Sequence, residues 1–154
     1  MKQEILNCNL FLTLTYYNEF PEIIIYHNDQ KLDLKFEEQL PKNPLTKHFL
    51  ATNTINKEFK LTPSIGKQRI EVVFKNSHLT NKNLAMQTVL CISGLTINNF
   101  KLSTRNILLR NSKFYSNTKK IEQNIREFPL LLRTDGKFIF EFETPFVTWA
   151  IRQF

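Results

Sequence analysis

ILNCNLFLTLTYY, which spans residues 5–17, alternates apolar and polar side chains along its length. Its apolar set is Leu6, Cys8, Leu10, Leu12, Leu14 and Tyr16, and its polar set is Asn7, Asn9, Thr13 and Thr15. Successive side chains of a β-strand point to opposite faces of the sheet, so a period of two predicts a strand with one face in the core. A β-sheet protein is therefore the starting hypothesis.

The next segments of the chain predict a hairpin followed by a loop. EIIIYH (22–27) and KLDLKFE (31–37) carry strand patterns, and the residues between them, Asn-Asp-Gln at 28–30, favour a tight turn. Residues 38–54 contain two prolines and no sustained periodicity, so we expect a loop there.

Three strands are expected in the middle of the chain. They span residues 57–61, 68–75 and 85–97. The density of apolar residues in the third predicts a strand buried on both faces, with a bulge or tight turn at Gly94. A helix remains an alternative for the first half of that segment, because Leu84, Thr88 and Cys91 would share a helical face.

The strongest turn signal lies near the C-terminus. Asp135-Gly136 favours the positive φ angles of a type I′ turn, and it lies between the segment LLLR (130–133) and the alternating segment 137–143. We therefore expect a hairpin. Its second strand places three phenylalanines on one face, namely Phe138, Phe140 and Phe142.

A single segment has helical periodicity. Ile121, Ile125 and Phe128 recur at helical spacing within residues 113–128, and a proline follows. Residues 146–154, FVTWAIRQF, predict instead a further extended segment, with its core anchors at Phe146 and Trp149.

Together these patterns predict an all-β protein with one short helix. The segments do not alternate strand with helix as βαβ units require, so a parallel sheet is not expected. We expect a single domain over residues 1–154, folded as an antiparallel β-sandwich of jelly-roll type.

Composition and motifs argue against catalysis, a cofactor or a metal. Three glycines are too few for a phosphate-binding loop, and the chain has no Gly-x-Ser-x-Gly motif. Nearly all the acids alternate outward on the predicted strands or neighbour a Lys or Arg, so we expect solvated carboxylates. The three histidines are isolated in the sequence. We therefore expect a non-enzyme without cofactor or metal.

Cys8 and Cys91 both fall on apolar faces of predicted strands, so we expect two buried free thiols. The apolar run at the N-terminus is interrupted by polar residues and lacks a small-residue cleavage site, so it is read as mature chain. The chain has no apolar run of the length that a membrane-spanning helix needs, so no membrane partner is expected.

Charge is distributed unevenly along the chain. The net charge is +7, yet residues 72–121 contain eight Lys or Arg and no Asp or Glu. Such a stretch creates a positive potential that attracts an anionic partner or surface. The candidate binding residues are Lys101, Arg105, Arg110 and Lys113. A solvated basic face is the alternative, and a nucleic-acid interface over residues 101–120, with Phe114 and Tyr115 as stacking groups, is another.

Two parts of the chain resemble a known family. RIEVVF (69–74) with VLCISGL (89–95), and DGKFIFEF (135–142) with the Pro145-Phe146 and Trp149 that follow, are similar to small β-sandwich modules of tailed-phage virion proteins, which are related to carbohydrate-binding modules. The likeness covers residues 67–100 and 135–151. Between residues 76 and 83, calcium-binding relatives carry acids where this chain has asparagines.

The resemblance implies a non-catalytic structural or assembly component of a phage virion, in the tail, baseplate, neck or capsid surface. Such a protein would be assembled into the virion in the host cytoplasm and would act through contacts with other virion proteins, as a homo- or hetero-oligomer. A metal-independent carbohydrate-binding module, with Trp149 or tyrosines as a stacking platform, is the alternative.

Overall fold

The computed structural model describes residues 3–17, 20–36, 50–77, 88–102, 107–116, 121–124, 130–132 and 135–154. The strands are β1 (Leu6–Tyr17), β2 (Glu22–His27), β3 (Gln30–Lys31), β4 (Leu50–Leu61), β5 (Gly66–Lys75), β6 (Val89–Ile97), β7 (Phe100–Lys101), β8 (Ser112–Ser116), β9 (Ile121–Asn124), β10 (Leu130–Leu132) and β11 (Gly136–Thr144). The helices are α1 (Ile107–Arg110) and α2 (Phe146–Ile151). Over the described residues the protein is mostly β, as the sequence predicted, with two short helices where one was expected.

The strands form two antiparallel sheets. The five-stranded sheet has the order β10-β6-β1-β4, and β7 pairs with β6. The six-stranded sheet has the order β3-β2-β5-β11-β8-β9. In the first sheet β1 pairs with β4 along its full length, from Leu6 opposite Leu61 to Tyr17 opposite Leu50.

The chain passes back and forth between the sheets. Of the strands in the described residues, β1, β4, β6 and β10 lie in the five-stranded sheet, and β2, β5, β8 and β11, which follow them one by one, lie in the six-stranded sheet. The short strands β3, β7 and β9 each extend a hairpin from the strand before them. Apart from these hairpins, consecutive strands therefore belong to different sheets.

A shared hydrophobic core joins the two sheets. All six apolar residues that the alternation in β1 placed inward are buried, which confirms that prediction. The same core cluster includes the three inward phenylalanines of β11 and Ile70, Val72 and Phe74 of β5. Fully burying side chains of this size stabilises the fold by about 1.5–3 kcal/mol each.

The predicted hairpin at Asp135-Gly136 is wrong. Residues 130–132 pair with β6 in the five-stranded sheet, whereas β11 begins at Gly136 in the six-stranded sheet. The Asp135 carboxylate instead accepts hydrogen bonds from the backbone N–H groups of Asn76 and Ser77 at 2.8 and 3.0 Å. Gly136 is required by close approach, because a Cβ there would lie 2.5 Å from the backbone oxygen of Tyr115.

The predicted helix over residues 113–128 is also wrong where the structure describes it. Residues 112–116 and 121–124 form β8 and β9, and Lys113 pairs with Asn124. Strands β8 and β9 pair with each other at the edge of the six-stranded sheet. An isolated helix of this length is only marginally stable in water, so the pairing of the strands is preferred. Residues 117–120 and 125–128 lie outside the described residues.

Two boundaries predicted for the first half of the chain differ from those in the structure. The turn at Asn28 and Asp29 is confirmed, with φ angles of 47° and 68°, but the strand that follows it ends at Lys31. The loop expected over residues 38–54 is wrong from Leu50 onward, where β4 begins. Residues 38–49 lie outside the described residues.

Strand β6 is not buried on both faces. Its side chains alternate between buried and partly or fully exposed, and Cys91 lies on the outward side and is half-buried. The prediction of two buried thiols is therefore confirmed for Cys8 and wrong for Cys91. The expected irregularity at Gly94 is confirmed, because the pairing with β1 shifts register between Phe11 and Leu12.

Candidate docking site

Helix α2 replaces the extended segment that the sequence predicted for residues 146–154, which corrects that prediction. The backbone N–H of Trp149 donates to the carbonyl oxygen of Pro145 at 3.2 Å, which closes the first helical turn. Phe146, Trp149 and Ala150 share the buried side, because their spacing matches one helical face. The prediction that Phe146 and Trp149 anchor the core is confirmed.

A side of α2 next to its buried face is apolar and exposed. Val147 and Ile151 have 63% and 66% of their surface exposed, and Phe154 has 59%. The three residues follow the spacing i, i+4 and i+7, so they line up along one side of the C-terminal segment. A row of large apolar side chains in solvent is typical of an interaction surface.

These side chains border an apolar groove of about 270 Å³. The groove lies between α2 and the turn that precedes β7, and its lining residues are Asn98, Phe100, Phe146, Val147, Ala150, Ile151 and Phe154. The ring of Phe100 contacts those of Phe146 and Phe154 edge to face, with centroids 6.1 and 5.8 Å apart. These edge-to-face pairs pack α2 and the C-terminal residue against β7. We call this surface the C-terminal groove.

Other elements hold the C-terminal groove in shape. The carboxylate of Glu4, just before β1, accepts the backbone N–H of Phe146. At the other end of α2, Arg110 of α1 donates to the backbone oxygen of Gln153 at 2.7 Å, and Asn111 donates to the side-chain oxygen of Gln153 at 3.0 Å. Both ends of the segment are therefore tied to the rest of the fold.

Positive charge flanks the groove. Arg110 is exposed, and no ion pair joins it to any described carboxylate. Arg152 is paired with Glu143 at 2.7 Å, so it contributes little net charge. The edge near Arg110 is thus the part of the groove that favours an acidic group on a partner.

The sequence-predicted basic residues do not form one surface. Lys101 lies in β7 opposite Thr96, on the five-stranded sheet, whereas Lys113 lies in β8 of the six-stranded sheet, 3.9 Å from the Glu141 carboxylate. Arg110 lies beside the C-terminal groove, and Arg105 lies outside the described residues. Whether these residues bind a partner stays a prediction.

The structure corrects two other predictions, that Trp149 could stack on a sugar ring and that the acids are solvated. Trp149 is 5% exposed, so it offers no platform for stacking a sugar ring. Glu71 is buried rather than solvated, and its carboxylate pairs with Arg69 and, at 3.7 Å, with Lys137. The hydrogen bond to Glu71 also raises the pKa of the Arg69 guanidinium. Compensation by two cations explains why this acid tolerates burial.

The sequence contains a signal for the C-terminal groove, which is the helical spacing of the apolar residues in the segment 146–154. Phe146, Trp149 and Ala150 give one helical face, and Val147, Ile151 and Phe154 give the other. A helix with two apolar faces is typical of an element that packs on its own core and on a partner. The prediction of an extended segment did not identify Val147, Ile151 and Phe154 as an exposed apolar row.

The described residues contain no cluster of three or more His, Cys, Asp or Glu placed to hold a metal ion. Neither α1 nor α2, the helices of the described part, has the length and apolar character needed to span a membrane. The chain matches no protein-family model, no curated protein and no solved structure.

Proposed function

We propose that this protein is a non-catalytic structural or assembly component of a tailed-phage virion, acting through protein–protein contacts. The observation that carries the proposal is the C-terminal groove, whose exposed apolar row is held in place at both ends. Its occupant is an apolar segment of another virion protein with an acidic residue beside it. The acid faces Arg110, which no described carboxylate neutralises.

The likeness to phage virion modules over residues 67–100 and 135–151 supports the assignment to a particle. We also propose the jelly-roll form of the sandwich. Its support is the alternation of consecutive strands between the two sheets, four strands in each, apart from the short hairpin strands.

Co-expression with the proteins of neighbouring genes tests the proposal. The wild-type chain should co-purify with one such protein, and the double variant Val147→Glu with Ile151→Glu should not, because two buried charges abolish an apolar contact. Leu131→Glu is the matched control, since Leu131 is 46% exposed on β10 and does not line the groove. Loss of the complex in the control as well, or its retention in the double variant, contradicts the proposal.

The same complex separates docking from the alternative of a nucleic-acid interface over residues 101–120. Docking predicts that Arg110→Glu weakens the protein complex and that random oligonucleotides bind no more tightly than about 1 µM at physiological salt. Tighter binding of oligonucleotides that falls steeply with salt supports the nucleic-acid alternative instead.

A further inference from the structure

Strand β4 ends the five-stranded sheet and is much longer than the other strands that end a sheet in the described part of the chain. It has 12 residues, whereas β10, β3 and β9 have three, two and four. Strand β1 pairs with one side of β4 along its full length, and no described strand pairs with the other side. We call that other side the β4 edge. A long strand at the end of a sheet offers its backbone N–H and C=O groups to a further strand.

Neither a proline nor a bulge interrupts the β4 edge. The segment LATNTINKEFKL has no proline, and its register with β1 runs without a shift. Within residues 54–61 the one charged side chain that points inward is Lys57. Its ammonium lies 5.3 Å from the ring centroid of Phe36 in the same chain, so the side chain is held against its own sandwich. The backbone of the β4 edge is therefore suited to pairing with another strand.

The outward side of β4 carries one acid and one base near the C-terminal end of the strand. Glu58 and Lys60 lie two residues apart on the same face, and both are exposed. Neither forms an ion pair with a described residue. Phe59 lies between them and is buried in the core. An acid and a base placed on either side of one residue complement a second copy of the same strand that runs antiparallel.

Two antiparallel β4 strands could pair in several registers, and the charges favour one of them. A two-fold axis at Phe59 sets Glu58 of each copy opposite Lys60 of the other, so two ion pairs form across the contact. An axis at Glu58 sets two carboxylates opposite each other, and an axis at Lys57 sets two ammonium groups opposite each other, which is unfavourable. An axis at Asn56 brings no opposite charges together. Charge complementarity therefore selects the register centred on Phe59.

In this register the pairing covers residues 57–61 of both copies, because Lys57 of one copy lies opposite Leu61 of the other. Strand β4 ends at Leu61. Beyond it the carbonyl oxygen of Thr62 already accepts the side-chain N–H of Gln3 at 2.9 Å, and Pro63 has no N–H to donate. The contact is therefore short, and we expect a weak dimer that exchanges with the monomer.

We propose that two copies of this chain pair through their β4 edges, antiparallel and with a two-fold axis at Phe59. The five-stranded sheets of the two copies then form one continuous sheet across the dimer. This contact goes beyond the docking proposed for the C-terminal groove, and it uses none of the residues that line the groove. The two proposals can therefore fail independently.

Sedimentation velocity of the purified chain over a range of concentrations tests the dimer. The wild-type chain should be partly dimeric at about 100 µM. Glu58→Lys and Lys60→Glu should each weaken the dimer about tenfold or more, because each replaces both ion pairs with contacts between like charges. Lys67→Glu, on β5 of the other sheet, makes the same change in net charge as Lys60→Glu. It is the matched control and should dimerise like the wild type.

The double variant Glu58→Lys with Lys60→Glu tests the register. It has the net charge of the wild type, and in the register centred on Phe59 it sets an acid opposite a base at both positions again. Its dimer should therefore be about as stable as that of the wild type. An axis at Glu58 would instead set two lysines opposite each other in this variant, so it predicts no recovery.

Glu58 and Lys60 are both exposed, so their variants should keep the fold, and circular dichroism checks this. A wild-type chain that sediments only as a monomer at the stated concentration overturns the proposal. A dimer that both single variants leave intact overturns it too, because the contact then lies elsewhere. A double variant that stays as weakly associated as the single variants contradicts the register and, with it, the proposed arrangement.

Discussion

The carboxylate of Glu4 accepts the backbone N–H of Phe146 through both oxygens, at 3.0 and 3.3 Å. The two residues are 142 positions apart in the chain, so this contact joins the entry to β1 with the first residue of α2. The first N–H groups of a helix have no partner within the helix, and a carboxylate there also meets the positive end of the helix dipole. Glu4 thereby fixes the element that displays the C-terminal groove.

Replacing Glu4 with Ala should lower the free energy of unfolding by about 1 kcal/mol, because it leaves the Phe146 N–H without its acceptor. Urea denaturation measures the loss. Glu4→Gln should lose less, since its amide oxygen still accepts one hydrogen bond. Equal stability of Glu4→Ala and the wild type would show that the contact contributes nothing.

Two glycines should respond differently to the same change. At Gly136 a Cβ meets the backbone oxygen of Tyr115 at 2.5 Å, so Gly136→Ala should lower stability by about 2–4 kcal/mol. At Gly94 the nearest atom is 3.9 Å away, so Gly94→Ala should stay within about 1 kcal/mol of the wild type. Thermal unfolding of the pair measures the difference. A similar loss at both positions contradicts the close approach of β8 and β11.

Burial raises the pKa of the Cys8 thiol from 9.0 to about 12. Between these values the native thiol keeps its proton while the thiol of the unfolded chain loses it, so stability should fall as pH rises. The slope is at most about 1.4 kcal/mol per pH unit. Below pH 9 this contribution to stability is fully present.

The Cys8→Ala variant isolates this effect. It should be less stable than the wild type at neutral pH, because it leaves a small cavity in the core. Its stability should nevertheless fall less steeply between about pH 9 and 11, since other titrating groups are common to both proteins. Parallel pH profiles of the two proteins, measured by urea denaturation, would contradict a buried, protonated Cys8.

Alternation predicted β1 and β11, whose inward residues are buried, but it missed the first half of β4, which was expected to be a loop. In β1 and β11 the inward residues were identified correctly because a period of two leaves only one choice of face. The same rule failed for Cys91, since β6 was read as apolar on both faces. Its outward side is only half-buried, and a dense apolar run does not show this.

Long-range pairing explains the larger errors. Asp135-Gly136 has the local chemistry of a hairpin turn, but the Asp135 carboxylate binds backbone groups of Asn76 and Ser77, almost 60 residues away. The strand before it pairs with β6, so the two halves of the expected hairpin belong to different sheets. No local pattern contains that information.

The sequence analysis did not predict the C-terminal groove, because it assigned residues 146–154 to an extended segment and not to a helix. Phe146 and Trp149 are three residues apart, so they would point to opposite faces of an extended segment, whereas a helix places Phe146, Trp149 and Ala150 on one face. Only the helix leaves Val147 and Ile151 in solvent. The basic residues expected to act together proved to lie on both sheets, because a run without acids along the chain does not define a surface in space.

Protection of a single thiol on the outer side of α2 tests the docking account most directly. A Val147→Cys variant, made in a chain whose Cys91 is replaced by Ser, places a reactive thiol at a position that is 63% exposed. In the free chain a maleimide should label this thiol rapidly, whereas Cys8 stays unreactive in the core. In the complex with the co-purifying virion protein we expect labelling at least about tenfold slower, because an apolar contact excludes water from the groove. Labelling at the same rate in the free chain and in the complex would contradict the claim that the C-terminal groove is the docking site.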